Sequence, residues 1–233
     1  MKRRIVVLLA ALVLAGCDGG DGDRVGDGVP DPSPDQSVVE AEETPAAHFD
    51  HGDGTYWEFR VTFPDGGSTV GVDSVVGRTT HRGRDVLTVD QTYNDNFRLS
   101  RYVDVETGNV VAELDQDGEI TQEWIPHTGI LQHPLNLEVG ASWQAEVEYI
   151  NYLDSGASED RVTEYEVAEF MALTVGAGTF DAYRIVEVES DVTVWWYAPE
   201  VIYPIKGSNE TDDGLVEWEV IDYVLSGHTE GSM

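Results

Sequence analysis

The chain has 233 residues, with 13 Lys and Arg against 45 Asp and Glu, a formal net charge of -32 and a single cysteine. So acidic a surface repels phosphate, which argues against nucleic acid and anionic lipid headgroups as partners. One cysteine leaves no internal disulfide, so a folded domain must hold together by core packing, and a hydrophobic content of 41% is enough for a core.

The chain opens Met1-Lys2-Arg3-Arg4, and Ile5 to Ala15 is an unbroken apolar run. Three cations before a run too short to span about 30 Å of hydrocarbon form an export signal rather than a membrane-spanning helix. The run closes on Leu14-Ala15-Gly16-Cys17, which resembles a bacterial lipobox. Its small residues admit a signal peptidase to the backbone, and the cysteine can take a thioether-linked diacylglycerol. Residues 1–16 are therefore expected to be a signal peptide. Cys17 is expected to carry acyl chains that anchor the protein to a membrane, at about 0.8 kcal/mol per buried methylene. The expected place is the bacterial cell envelope, facing the periplasm, and Asp18 leans toward the inner membrane. No second long apolar stretch follows, so no spanning helix is expected.

Residues 17–54 read as the acylated cysteine and a flexible linker. Glycine, proline and acid cannot repay the entropy of ordering. Asp21, Asp23, Asp27 and Asp31 alternate with glycine, and Gly26-Asp27-Gly28-Val29-Pro30-Asp31 looks like a fragment of a calcium-binding repeat. Only one fragment is present and no bidentate glutamate sits at the EF-hand position, so a solvated spacer is the better account.

From Thr55 the pattern changes, and residues 55–228 read as a β domain. Trp57, Phe59, Val61 and Phe63 alternate with polar residues, the period of a half-buried strand. Pro64-Asp65-Gly66-Gly67 turns the chain, and Val70, Val72, Ser74 and Val76 continue the alternation. Further strands are expected at 86–93, 97–105, 110–114 and 120–125, with a hairpin at Asp117-Gly118. Pro126 to Val139 reads as a connecting loop. Strands resume at Trp143, Ala145, Val147 and Tyr149, then at 162–167, 180–188, 192–197 and 215–225. The fold class is all-β, an antiparallel meander of roughly ten strands forming a barrel, a half-barrel or a sandwich. Gly54-Thr55-Tyr56-Trp57 echoes Gly140-Ala141-Ser142-Trp143, which outlines two halves, 55–126 and 135–228. A shared local solution, glycine turning the chain and tryptophan capping a core end, also accounts for the echo.

Val175-Gly176-Ala177-Gly178-Thr179-Phe180-Asp181-Ala182-Tyr183-Arg184-Ile185 is followed by Trp195-Trp196-Tyr197-Ala198-Pro199 and then Ile205-Lys206. With Leu137 to Trp143, this resembles the TapB-like family of exported bacterial proteins, over about Gly140 to Leu225. The resemblance implies a β-rich exported domain and no known enzyme. The sequence departs after Ala198-Pro199, where the family has glycines and this chain has Glu200-Val201-Ile202-Tyr203-Pro204. Read from the residues alone, these segments supply core and turn positions. Trp195, Trp196, Tyr197, Phe180 and Tyr183 are also the candidates to rim a cleft for an apolar ligand.

No catalytic set stands out. His48, His51, His81, His127, His133 and His228 form no short metal-ligand pair. There is no nucleophile elbow, no phosphate loop and no free thiol once Cys17 is acylated. No enzyme activity, cofactor or metal is expected. Two functions remain open: a binding protein or carrier for a lipid or other apolar small molecule, and an envelope protein-interaction module without a cavity, working through a surface patch or edge strand. What separates them is whether Trp57, Trp143, Trp195, Trp196 and Trp218 line an interior or fill it.

Overall fold

The computed structural model describes residues 49, 51–94, 97–126, 137–154, 156–188, 190–211 and 213–226. Cys17 with Leu14, Ala15 and Gly16, Asp18, the acidic linker with Asp21, Asp23, Asp27 and Asp31, and His48, His127, His133 and His228 lie outside the described residues. Twelve antiparallel strands follow in order: β1 (Tyr56–Thr62), β2 (Ser68–His81), β3 (Arg84–Tyr93), β4 (Phe97–Asp104), β5 (Val110–Leu114), β6 (Ile120–Pro126), β7 (Ser142–Asn151), β8 (Ser158–Val175), β9 (Gly178–Glu187), β10 (Ser190–Ala198), β11 (Tyr203–Thr211) and β12 (Gly214–Val224). Each strand pairs with the next, and β12 pairs with β1, so the meander closes as a barrel. Closure pairs the middle of each strand on both sides, while residues 76–81 of β2 and 168–175 of β8 run past β1 and β7 and, among the described residues, pair on one side only.

Packing begins upstream of Thr55. Phe49 is buried and its N–H bonds to the Val105 carbonyl at 2.8 Å, and His51 is buried between Phe49 and Trp57. Along β1 the expected alternation holds, with Trp57, Phe59 and Val61 buried. In β2 the phase is the opposite of the one expected. Register pairs Phe59 with Gly71 and Trp57 with Asp73, so Gly71, Asp73 and Val75 are buried while Val70 and Val76 are exposed. The facing strand sets the register, and it overrides the valine pattern. Gly71 is required because the rings of Phe59 and Tyr93 close over it; a Cβ there would lie 2.4 Å and 2.6 Å from them.

Several features of β1–β6 recur in β7–β12. Gly54 and Gly140 both adopt positive φ, 89° and 87°. Gly54 N–H bonds to the Val75 carbonyl and Val75 N–H to that of Thr55, while Gly140 N–H bonds to Val167 and Val167 N–H to Ala141. A β-bulge follows each valine, between Val75 and Gly77 and between Val167 and Glu169. A second pair of register shifts also corresponds, between Tyr102 and Val103 and between Trp196 and Tyr197.

The end of the barrel where β1 starts is filled. Trp57, Val75, Leu87, Val103, Phe180, Ala182, Ala198, Ile205 and Val220 belong to one buried apolar cluster there. The β8–β9 turn folds onto β12, with Ala177 N–H bonded to the Val220 carbonyl at 3.1 Å. After Ala198-Pro199, Ile202 sits at φ 52°, a region that strains a β-branched residue. That is where the TapB-like pattern has glycines, and packing of Ile202 against the apolar cluster offsets the strain. Elsewhere the outward positions carry charge, among them Glu58, Arg60, Glu148, Glu164, Glu166, Glu217 and Glu219, with Arg60 bonded to Glu219 across the β1–β12 pair. A hydrocarbon-facing wall would not carry such a row.

Candidate functional site

Above the apolar cluster, the bore holds a buried ionic network. Asp73 (β2), Gln91 (β3), Arg101 (β4) and Glu113 (β5) are all buried. Register places them side by side on one wall: Asp73 pairs with Gln91, Arg101 with Glu113, and Glu113 with Gln122. Gln91 Nε2 donates to Asp73 Oδ1 at 2.8 Å, and Arg101 Nη2 donates to Gln91 Oε1 at 3.1 Å. Arg101 Nε donates to Glu113 Oε1 at 3.2 Å, and its Nη1 lies 3.7 Å from Asp73 Oδ2. The chain of contacts continues through Gln122, whose Nε2 lies 3.4 Å from Glu113 Oε2, to the Tyr149 hydroxyl, which donates to Gln122 Oε1 at 2.8 Å. From the far side, Tyr203 on β11 donates to Asp73 Oδ2 at 2.5 Å. That contact joins strands three places apart in the ring, which puts both side chains inside the barrel.

The electrostatics follow from burial. Desolvation pushes the Asp73 carboxyl above its ordinary value, opposed by Arg101 and by the hydrogen bonds from Tyr203 and Gln91. Burial and then Asp73 hold Tyr203 well above its usual range, so its hydroxyl stays a donor. Burial likewise raises Tyr93. The Tyr93 hydroxyl is buried with no hydrogen-bond partner among the described residues. Arg161 stacks on Tyr149, its Cζ 3.6 Å from the ring centroid, and its Nη1 is also buried and unpaired.

The other wall is aromatic. By register, Arg101 corresponds to Trp195: Val89 pairs with Arg101 as Ile185 pairs with Trp195. By the same rule Asp73 corresponds to Tyr165, Gln91 to Glu187, Glu113 to Gly207 and Gln122 to Trp218. Tyr165, Trp195 and Trp218 are buried, and the Tyr165 and Trp195 rings meet edge-to-face at 5.2 Å. Trp218 lies over Gly207, where a Cβ would fall 2.6 Å from the indole. β4 and β10 are six places apart in a ring of twelve, so the polar and aromatic walls stand opposite one another.

The five aromatics singled out in the sequence do not form one cleft. Trp195 lines the upper bore, while Phe180 belongs to the apolar cluster that fills the lower end. Trp196 is on the other side of β10, with Lys206 Nζ 5.5 Å and Arg184 Cζ 6.0 Å from its ring. Tyr183 pairs with Phe170 at 4.5 Å, and burial pushes the Tyr197 hydroxyl up to about 12. Of the remaining tryptophans, Trp57 stacks on Tyr203 at 4.4 Å and Trp143 is half-buried beside Tyr165. The residues missed are Asp73, Gln91, Arg101 and Glu113. One signal was present: Arg101 falls in the apolar phase of Leu99, Val103 and Val105, where a cation must be paired.

A second polar cluster ties the β2–β3 hairpin to β6. Arg82 (φ 48°) and Gly83 (φ 79°) form the left-handed pair of a two-residue hairpin turn. Arg82 Nε and Nη2 each donate at 2.8 Å to the two Glu123 oxygens, His81 Nε2 lies 2.7 Å from Oε1, and Tyr152 donates at 2.5 Å. These bonds, that of Arg82 first, pull the Glu123 carboxyl down to about 2. Every oxygen is engaged, so this cluster clasps the hairpin in place. Among the described residues no three His, Cys, Asp or Glu side chains form a metal-binding group.

No family model matches the chain, and no curated protein matches it. The TapB-like resemblance therefore rests on its motif residues. Solved structures similar to this barrel include a Bacteroides fragilis protein described as exported with a YmcC-like fold (TM-score 0.44, 12% identity, 77% of this chain and 99% of that one). Another is a Parabacteroides distasonis protein described as a lipoprotein (TM-score 0.40, 15% identity, 76% of this chain and 97% of that one).

Proposed function

We propose that this protein is a lipoprotein of the bacterial envelope, held by acylated Cys17 and facing the periplasm, whose barrel binds a small molecule with apolar and polar parts. The observation that carries the reading is the division of the bore into a buried ionic wall and an aromatic wall. The buried Tyr93 hydroxyl, which has no partner among the described residues and lies near Asp73 and Arg101, offers a contact to a ligand. The carboxylates of the network are engaged by Arg101, Gln91 and Tyr203, which favours binding over catalysis.

The test is native mass spectrometry of the chain bearing Cys17→Ser, purified without detergent. Added mass of a small molecule, released on denaturation, supports the reading; a bare mass that stays bare after incubation with envelope lipids rejects it. A protein-interaction role remains the alternative. The surface it could use is the edge of β8 at residues 168–175, which among the described residues pairs only with β9 and carries exposed Phe170 and Met171.

A further inference from the structure

Two strands of the barrel outrun their neighbour on one side. Pairing of β2 with β1 ends at Ser74, and pairing of β8 with β7 ends at Glu166. Beyond those points, among the described residues, 76–81 pair with β3 alone and 168–175 with β9 alone. An unpaired edge is a template for another strand unless charge, proline or a covering segment blunts it.

The two edges are guarded differently. On β2, Arg78 is bonded to Asp85 and His81 lies against Glu123, which also holds Arg82 at the tip. On β8, no residue from Phe170 to Phe180 is charged. Phe170 is 48% and Met171 40% exposed, Ala172 is exposed and Leu173 half-buried. Glu169, the one acid of this edge, is paired with Arg184 at 3.7 Å. The hairpin is also held in place. Its Ala177 N–H bonds to the Val220 carbonyl, and Gly176 lies so close to Ile221 that a Cβ would fall 2.7 Å from it. An edge ordered in advance loses little entropy when it pairs.

Charge selects the occupant. With a formal charge of -32, two copies repel over most of their walls, where glutamates such as Glu164, Glu166 and Glu217 point outward. The β8 edge lets them meet without opposing carboxylates, and it is self-complementary. Antiparallel pairing centred on Ala172 sets Phe170 opposite Thr174 of the second copy, Met171 opposite its Leu173 and Glu169 opposite its Val175. Met171 and Leu173 pair on β9 with buried Ala182 and Phe180, so an apolar face continues across the junction.

We infer that the chain forms a two-fold dimer by antiparallel pairing of the β8 edges, centred on Ala172. The inference is independent of what the bore holds. The paired edge spans about 26 Å at about 3.3 Å per residue. That is small for an interface, so a dissociation constant of about 1–100 µM is expected.

The test is sedimentation equilibrium of the Cys17→Ser chain without detergent, over about 1–300 µM. A monomer–dimer equilibrium is expected. Ala172→Lys places like charges face to face and is expected to weaken the dimer at least about tenfold. Its thermal midpoint is expected to stay unchanged, because the position is exposed. Ala172→Glu is expected to act alike, and an equimolar mixture of the two variants to dimerise at least as tightly as the parent. A monomer at every concentration overturns the inference, and protection of its amides at 168–175 from hydrogen exchange would put another segment of the chain on the edge. A dimer that Ala172→Lys leaves intact, or that the mixture does not restore, overturns it as well.

Discussion

Arg101 on β4 and Trp195 on β10 occupy the same place in the two halves of the barrel, each paired through its neighbouring strand to a buried aliphatic residue, Val89 and Ile185. One scaffold position holds a cation between carboxylates and the other an indole against a tyrosine ring. Both positions are followed by a register shift, after Tyr102 and after Trp196, and they differ in side-chain chemistry. The proposed match to a ligand with apolar and polar parts follows from that difference.

Removing the cation is expected to be costly. Arg101→Met leaves Asp73 and Glu113 buried without their counter-charge, which destabilises by about 3–5 kcal/mol. Adding Asp73→Asn and Glu113→Gln to the same chain is expected to recover most of that loss. Urea unfolding of the single and triple variants checks both statements.

The clasp at Glu123 sets an acid limit. Its carboxyl is lowered from 4.5 to about 2, so its stabilisation is complete above pH 4.5 and is lost as pH falls through about 2. With Arg82 half exposed, the contribution is about 2 kcal/mol rather than the full shift. Asp73 acts with the opposite sign: its raised value favours the folded state at low pH, and that contribution is lost as pH rises through the folded value. Glu123→Gln is therefore expected to be less stable than the parent at pH 7 and equal to it near pH 2, as read by unfolding midpoints.

Two glycines separate packing from backbone freedom. Gly207→Ala drives a methyl into the Trp218 indole and is expected to destabilise by about 1–3 kcal/mol with a change in tryptophan emission. Gly77→Ala meets open space at an ordinary φ and is expected to be neutral or to stabilise by about 0.5 kcal/mol. Thermal melts of both variants make the comparison.

Cys17→Ser is expected to abolish palmitate labelling in a bacterial host and to move the protein out of the membrane fraction, without changing its β-type circular dichroism. Labelling that survives the substitution would contradict the anchor.

Much of the wall was legible in the sequence, because strands such as 143–149 alternate cleanly and bury Ala145, Val147 and Tyr149. β11 was not, since Tyr203–Thr211 carries proline, glycine, serine and asparagine where a strand usually shows β-branched residues. Its place is fixed by its neighbours, with Gly207 making room for Trp218. The phase of β2 was misread because valines fall on its outer face and Asp73 on its inner face. The polar wall stayed hidden for the same reason: an inward acid in a strand resembles an outward one until register shows Arg101 beside it. Trp195 and Trp196 differ by one residue and lie on opposite sides of β10, a distinction that pairing supplies and composition does not.

The central claim is that the bore holds a small molecule, and the most direct measurement is photo-crosslinking in the producing cell. p-Benzoylphenylalanine is placed at position 195, in the bore, or at position 196, on the other side of the strand. The account predicts a small-molecule adduct at 195 and none at 196 after irradiation, read by mass spectrometry of the purified protein. Protein cross-links alone, or the same small-molecule adduct at both positions, would contradict it.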